Sequence, residues 1–160
     1  MNSALLNQPC TCNCGHSRFA INSKPIIRFF CHCTICQTVY RKPYADVTAL
    51  WARDVLLPAS NDINFRKYKY PPALDRGTCQ SCGLSVVGFL RLAPFVKIAF
   101  IPSANIANQD LLPASSAHIF YHRRTGDIED TLPKYSGYWS SELAVSKFIF
   151  SAIFNRTEST

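Results

Sequence analysis

The chain has 160 residues, of which 48% are hydrophobic, 12% aromatic and 17% charged. A chain of this length buries about 70% of the surface it exposes when unfolded, and this composition excludes disordered, collagen-like and coiled-coil classes. Lys and Arg outnumber Asp and Glu by 17 to 10, a net charge of +7, but the basic residues form only short groups: Arg41-Lys42, Arg66-Lys67-Tyr68-Lys69 and His122-Arg123-Arg124.

Without a basic stripe or recognition helix, nucleic acid is not an expected partner. No apolar run approaches the ~18 residues of a membrane span, and the stretch from Met1 to Gln8 has neither the charge nor the apolar core of a signal peptide. The expectation is a cytoplasmic protein folded as one domain over residues 1–160, with no membrane partner.

In chain order, β-rich stretches are expected at Arg18 to Ile21, Ile26 to Phe30, Val47 to Trp51, Asn64 to Tyr68, Ser85 to Leu90, Val96 to Ile101 and His118 to Tyr121. Their Phe, Val, Ile and Tyr content, separated by Pro, Gly, Asn or Asp, predicts a mainly β fold of the sandwich or barrel-like kind. Asp110 to Ala117 reads as loop. One helix is predicted near the C-terminus, where Val145, Phe148, Ile149, Ala152 and Ile153 recur at helical spacing behind the candidate N-caps Ser140 and Ser141. Its apolar face is expected to pack on the sheet.

The eight cysteines stand at positions 10, 12, 14, 31, 33, 36, 79 and 82. Disulfide frameworks usually spread their partners along a secreted chain, whereas clusters this tight in an intracellular one point to metal ligands. Cys12-Asn13-Cys14-Gly15 and Cys79-Gln80-Ser81-Cys82-Gly83 are two pairs, each followed by a glycine able to take the positive φ of a metal knuckle. Together they offer four thiolates to one closed, structural zinc.

The remaining cluster, Cys31-His32-Cys33-Thr34-Ile35-Cys36, has three thiols within six residues on what reads as one compact loop. Three ligands leave a fourth tetrahedral position for water or substrate, the arrangement of a working zinc. The alternative is that Cys10 closes this site, making a non-catalytic module that binds a protein partner. His32 is expected to point away from the ion, and His16, His118 and His122 to be structural. Two Zn2+ held by seven thiolates would bring the net charge to about +4. Phosphate loops, dinucleotide fingerprints, G-x-S-x-G and H-E-x-x-H are all missing, so any chemistry must rest on the second zinc.

The order of these motifs resembles the glutathione-dependent formaldehyde-activating enzyme family, whose domain is shared with centromere protein V. The resemblance is carried by Cys12 to Gly15 leading into Arg18-Phe19, by Cys31 to Cys36 and by Cys79 to Gly83. His118-Ile119-Phe120 and Asp130-Thr131-Leu132-Pro133-Lys134-Tyr135 extend it over nearly the whole chain. Two departures stand out: Leu84 follows Gly83 where the family often has Ser, and Gln37 to Tyr40 separate Cys36 from Arg41-Lys42.

The resemblance implies an all-β fold with little helix, a structural zinc on Cys12, Cys14, Cys79 and Cys82, and a catalytic zinc on Cys31, Cys33 and Cys36. It further implies a carbon–sulfur lyase type of activity on a glutathione-type thiol, forming or cleaving S-hydroxymethylglutathione. Arg41 or Lys42 is the expected counter-charge of the catalytic thiolates. Asp130, Tyr135 and His118 occupy family-motif positions, for which packing and turn formation are the expected roles.

Overall fold

The computed structural model describes residues 7–59, 62–69 and 74–157. In chain order the elements are β1 (Gln8–Thr11), β2 (Arg18–Ile21), β3 (Ile27–Cys31), α1 (Thr34–Tyr40), β4 (Ala45–Trp51), β5 (Val55–Leu56) and β6 (Ile63–Lys67). There follow β7 (Asp75–Cys79), β8 (Ser85–Ala93), β9 (Val96–Pro102), β10 (His118–Ile119) and α2 (Tyr138–Thr157).

Side-chain alternation in the central strands explains the layering. On β4, Ala45, Val47 and Ala49 join one apolar cluster while Leu50 joins another; on β9, Ile98 joins the first and Ala99 and Ile101 the second. Strands apolar on both faces need a covering layer on each side. The seven-stranded sheet, ordered β10-β3-β4-β9-β8-β7-β6, accordingly has the three-stranded sheet β1-β2-β5 over one face and the two helices over the other. β10 runs parallel to β3, and the other pairings between these strands are antiparallel.

This mainly β, two-sheet fold with a C-terminal helix agrees with the sequence reading. Three strands had no clear local signal. Pro9 weakens β1, β5 is only two residues long, and β7 (Asp75, Arg76, Gly77, Thr78, Cys79) carries the strand-averse Asp75 and Gly77 and is held by β6 on one side and β8 on the other. Gly77 belongs to that packing: a Cβ there would stand 2.5 Å from Ile63 Cγ2 and 2.9 Å from the Val87 carbonyl oxygen.

α2 packs Val145, Phe148, Ile149, Ala152 and Ile153 against the sheet, as the spacing predicts. It starts earlier than expected, however, so Ser140 and Ser141 lie inside its first turn and are not N-caps. Gly137, at φ +90°, turns the chain into the helix, and its N–H donates to His122 Nδ1 at 2.7 Å. Ser141 is fully buried and pins that first turn: its hydroxyl accepts the Phe120 N–H at 2.8 Å and donates to the Tyr135 carbonyl at 3.3 Å. Among the described residues no helix is long and apolar enough to cross a membrane.

Candidate metal centres and the cavity beside them

Two turns from distant parts of the chain bring Cys12, Cys14, Cys79 and Cys82 together, with all four sulfurs within 4.8 Å of one another. Sulfur separations are 3.3 Å for Cys12–Cys14, 3.5 Å for Cys12–Cys79 and 3.7 Å for Cys14–Cys79. Tetrahedral thiolates at a zinc–sulfur distance of about 2.3 Å stand ~3.8 Å apart, so this soft donor set fits a closed zinc site.

The local backbone is built for it. Gly15 and Gly83 have φ of +77° and +72°, and their N–H groups donate to the carbonyls of Cys12 and Cys79 at 2.9 and 2.8 Å. The Ser17 N–H donates to Cys12 Sγ at 3.3 Å. Burial raises the Cys79 thiol pKa, but the Ser17 hydroxyl, the N–H groups of Cys82 and Ser81 and the Cys12 thiol outweigh it and bring it down to about 6. A sulfur that is readily ionised suits a metal ligand.

Cys31, Cys33 and Cys36 form the second cluster, their sulfurs likewise within 4.8 Å of one another. The cluster is not the compact loop that its spacing predicts. Cys31 ends β3, Cys33 is the N-cap of α1 and Cys36 lies in its first turn. Cys33 Sγ accepts the Cys36 N–H at 3.4 Å, filling the role an oxygen usually plays at an N-cap, and the helix is too short to show a hydrophobic period. Hydrogen bonds from the Cys31 and Cys36 thiols hold Cys33 far below the usual thiol range, and the same sharing, with burial, pushes Cys31 well up.

Cys10 takes no part in this cluster. It sits on β1 in the core between the sheets, fully buried, its thiol facing the Gln8 carbonyl, and burial pushes it up to about 12. The alternative in which Cys10 closes the second site therefore fails on geometry.

The expected counter-charge also comes from elsewhere. Arg41, in the left-handed region at φ +50°, closes α1 and reaches the other cluster: a Cβ on Gly83 would lie 2.9 Å from its Nη2. Lys42 lines a shallow surface depression with Thr34 and Thr38. Arg76, on β7, instead donates from Nη2 to Cys36 Sγ at 3.6 Å, and the charge on the cysteines raises its pKa despite burial. Sequence reading missed Arg76 because its partner lies 40 positions away.

His32 turns away from the sulfurs, as expected. Its Nε2 meets His118 Nδ1 at 2.9 Å, His118 Nε2 meets Asp130 Oδ2 at 2.7 Å, and Asp130 Oδ1 accepts from Lys134 Nζ at 2.6 Å. Both imidazoles are buried, so this chain fixes the backbone between Cys31 and Cys33. Gln37, one of the departures from the family pattern, braces the same segment by donating to the His32 and Arg123 carbonyls at 2.6 and 2.9 Å. Tyr135 pairs its backbone with His118 and sets its ring against Phe148, the expected packing role.

The three-cysteine cluster opens on a cavity of about 340 Å³ between the large sheet and α2, within the size range of small-molecule sites. Its apolar wall includes Phe29, Val47, Leu90, Phe100 and Ile119, and its charged groups are Lys69, Arg76, Arg123 and Glu142. Compared with known protein families, residues 8–123 match the one described as glutathione-dependent formaldehyde-activating enzyme, which covers well over half of the chain and all seven clustered cysteines. The chain belongs to this family.

Within the formaldehyde-activating family, the two cysteine clusters of this member are suited to metal, and α2 lies beyond the matched residues. A crystal structure of a Rhodobacter sphaeroides protein is similar over 62% of this chain and 88% of that one, at 16% identity and a TM-score of 0.48. A search of curated proteins finds no match.

Proposed function

We propose that this chain is a zinc-dependent carbon–sulfur lyase type of enzyme acting on a glutathione-type thiol and its formaldehyde adduct. Cys12, Cys14, Cys79 and Cys82 would hold a structural zinc, and Cys31, Cys33 and Cys36 a catalytic one. The observation that carries the reading is that three cysteine sulfurs and an arginine directed at one of them line the same cavity, beside an apolar wall.

When bound, zinc at the three-cysteine site supplies a Lewis-acid position that ionises a thiol whose ordinary pKa is about 8.5. Arg76 offsets the negative charge that gathers where thiolates meet, being already directed at Cys36 Sγ. The apolar wall keeps bulk water from the reacting sulfur. In the forward direction the thiol sulfur forms a C–S bond to the formaldehyde carbon, and the thiol proton ends on the former carbonyl oxygen. The lyase direction breaks that C–S bond and returns the proton to sulfur.

Metal content and X-ray absorption, with and without glutathione, test the assignment. One four-sulfur and one three-sulfur zinc give a mean of about 3.5 sulfurs per ion, rising toward about 4 when a thiol binds. That rise, followed by turnover of S-hydroxymethylglutathione, is the expected result. A rise without turnover would make the protein a thiol carrier, and no rise would remove the thiol site.

A further inference from the structure

We propose that Glu142 is the specificity residue of the cavity: it receives the ammonium group of a zwitterionic thiol and so separates thiols with a free α-amino group from those without one. This rests on the proposed function, since it takes the cavity beside Cys31, Cys33 and Cys36 to be a thiol site.

Glu142 is the only acidic side chain lining that cavity among the described residues. Its place is set by its neighbour in sequence, because buried Ser141 locks the first turn of α2 to Phe120 and Tyr135 and leaves the next residue facing the cavity. Half-buried, its carboxylate makes no hydrogen bond or ion pair among the described residues. Lys69 lines the same cavity but directs its Nζ at the Tyr138 ring, 4.0 Å from the centroid, and forms no ion pair with Glu142.

This carboxylate has no direct partner among the described residues, and the charges of Lys69 and Arg76 act on it only from a distance. Burial raises its pKa, Lys69 draws it back down, and the Cys33 charge raises it again. A ligand ammonium relieves both the lost solvation and the repulsion from the cysteine sulfurs.

The remaining charges favour the same ligand. Arg76 is committed to Cys36, leaving Lys69 and Arg123 to face carboxylates. One anionic and two cationic groups around a cavity of this size complement a small thiol peptide with one ammonium and two carboxylates. Because α2 lies outside the family-matched residues, this selectivity belongs to the helix and not to the cysteine framework.

The test is calorimetric titration of the zinc-loaded protein with glutathione and with N-acetylglutathione, which keeps the thiol and both carboxylates but has no ammonium. Wild type should bind glutathione about 10-fold or more tightly than the acetylated form, and in Glu142→Gln the ratio should fall to within about 3-fold, through weaker glutathione binding alone. Glu142→Asp should retain part of the preference. A ratio that survives in Glu142→Gln overturns the proposal, and so does equal binding of the two thiols by wild type, a result that holds even if the variant fails to fold. In both cases the thiol site itself stands, whereas a wild type that binds neither thiol overturns the site and this inference together.

Discussion

His32 Nε2 and His118 Nδ1 lie 2.9 Å apart although 86 positions separate them in the chain, and both rings are sealed from solvent. Because His32 stands between Cys31 and Cys33, whatever holds His118 also holds the ligand loop. Asp130 does this from the far side, and Lys134 secures Asp130 in turn.

Lys134, and after it His118, bring the Asp130 carboxyl down to about 2 from the usual 3.8. A carboxyl lowered on folding stabilises the protein above its unfolded value and loses that contribution as pH falls through its folded value. The stability difference between wild type and Asp130→Asn should therefore be full at pH 6 and shrink between about pH 4 and pH 2. Urea midpoints of both proteins across that range check this, and a difference that stays constant with pH would count against it.

Cys82→Ser should halve the zinc content and destabilise the protein by about 3 kcal/mol or more, because a closed site loses a ligand that joins two distant segments. Cys10→Ser should leave zinc content unchanged, since that thiol faces the Gln8 carbonyl and belongs to neither sulfur cluster. Metal analysis with denaturant unfolding separates the two variants.

Removing the arginine beside Cys36 should weaken binding of a thiolate much more than it weakens the metal site. Arg76→Gln is expected to raise the Kd for glutathione about 10-fold and to move thiol binding to higher pH, with Arg76→Lys intermediate. Titrations at several pH values, with zinc content measured in parallel, provide the check.

Gly77→Ala tests the packing of β7. The added methyl would meet Ile63, Phe65 and the Val87 carbonyl at 2.9 Å or less, an overpacking expected to cost about 1–3 kcal/mol. Because β7 carries both Arg76 and Cys79, thermal unfolding and zinc retention should fall together.

Local chemistry made the two cysteine clusters legible in the sequence. Cysteine spacing with a following glycine encodes a knuckle whatever the rest of the chain does, and the structure brings those four sulfurs together. The β-branched and aromatic runs marked β2, β3, β4, β8 and β9, and the spacing from Val145 to Ile153 marked the packed face of α2. By contrast, α1 has only seven residues and a sulfur cap, and β7 has Asp75 and Gly77, which disfavour a strand, and no apolar alternation.

The sequence by itself determined the close cysteine groupings, the mainly β class and the C-terminal helix, because each depends on residues a few positions apart. Only the tertiary structure decided what surrounds the three-cysteine cluster: Arg76 at Cys36 in place of Arg41 or Lys42, the His32–His118–Asp130 chain behind it, and Glu142 on α2 facing the cavity. Those groups meet through sheet pairing and helix packing over tens of residues. Contacts of that range leave no periodic or motif signal in any one stretch of the chain.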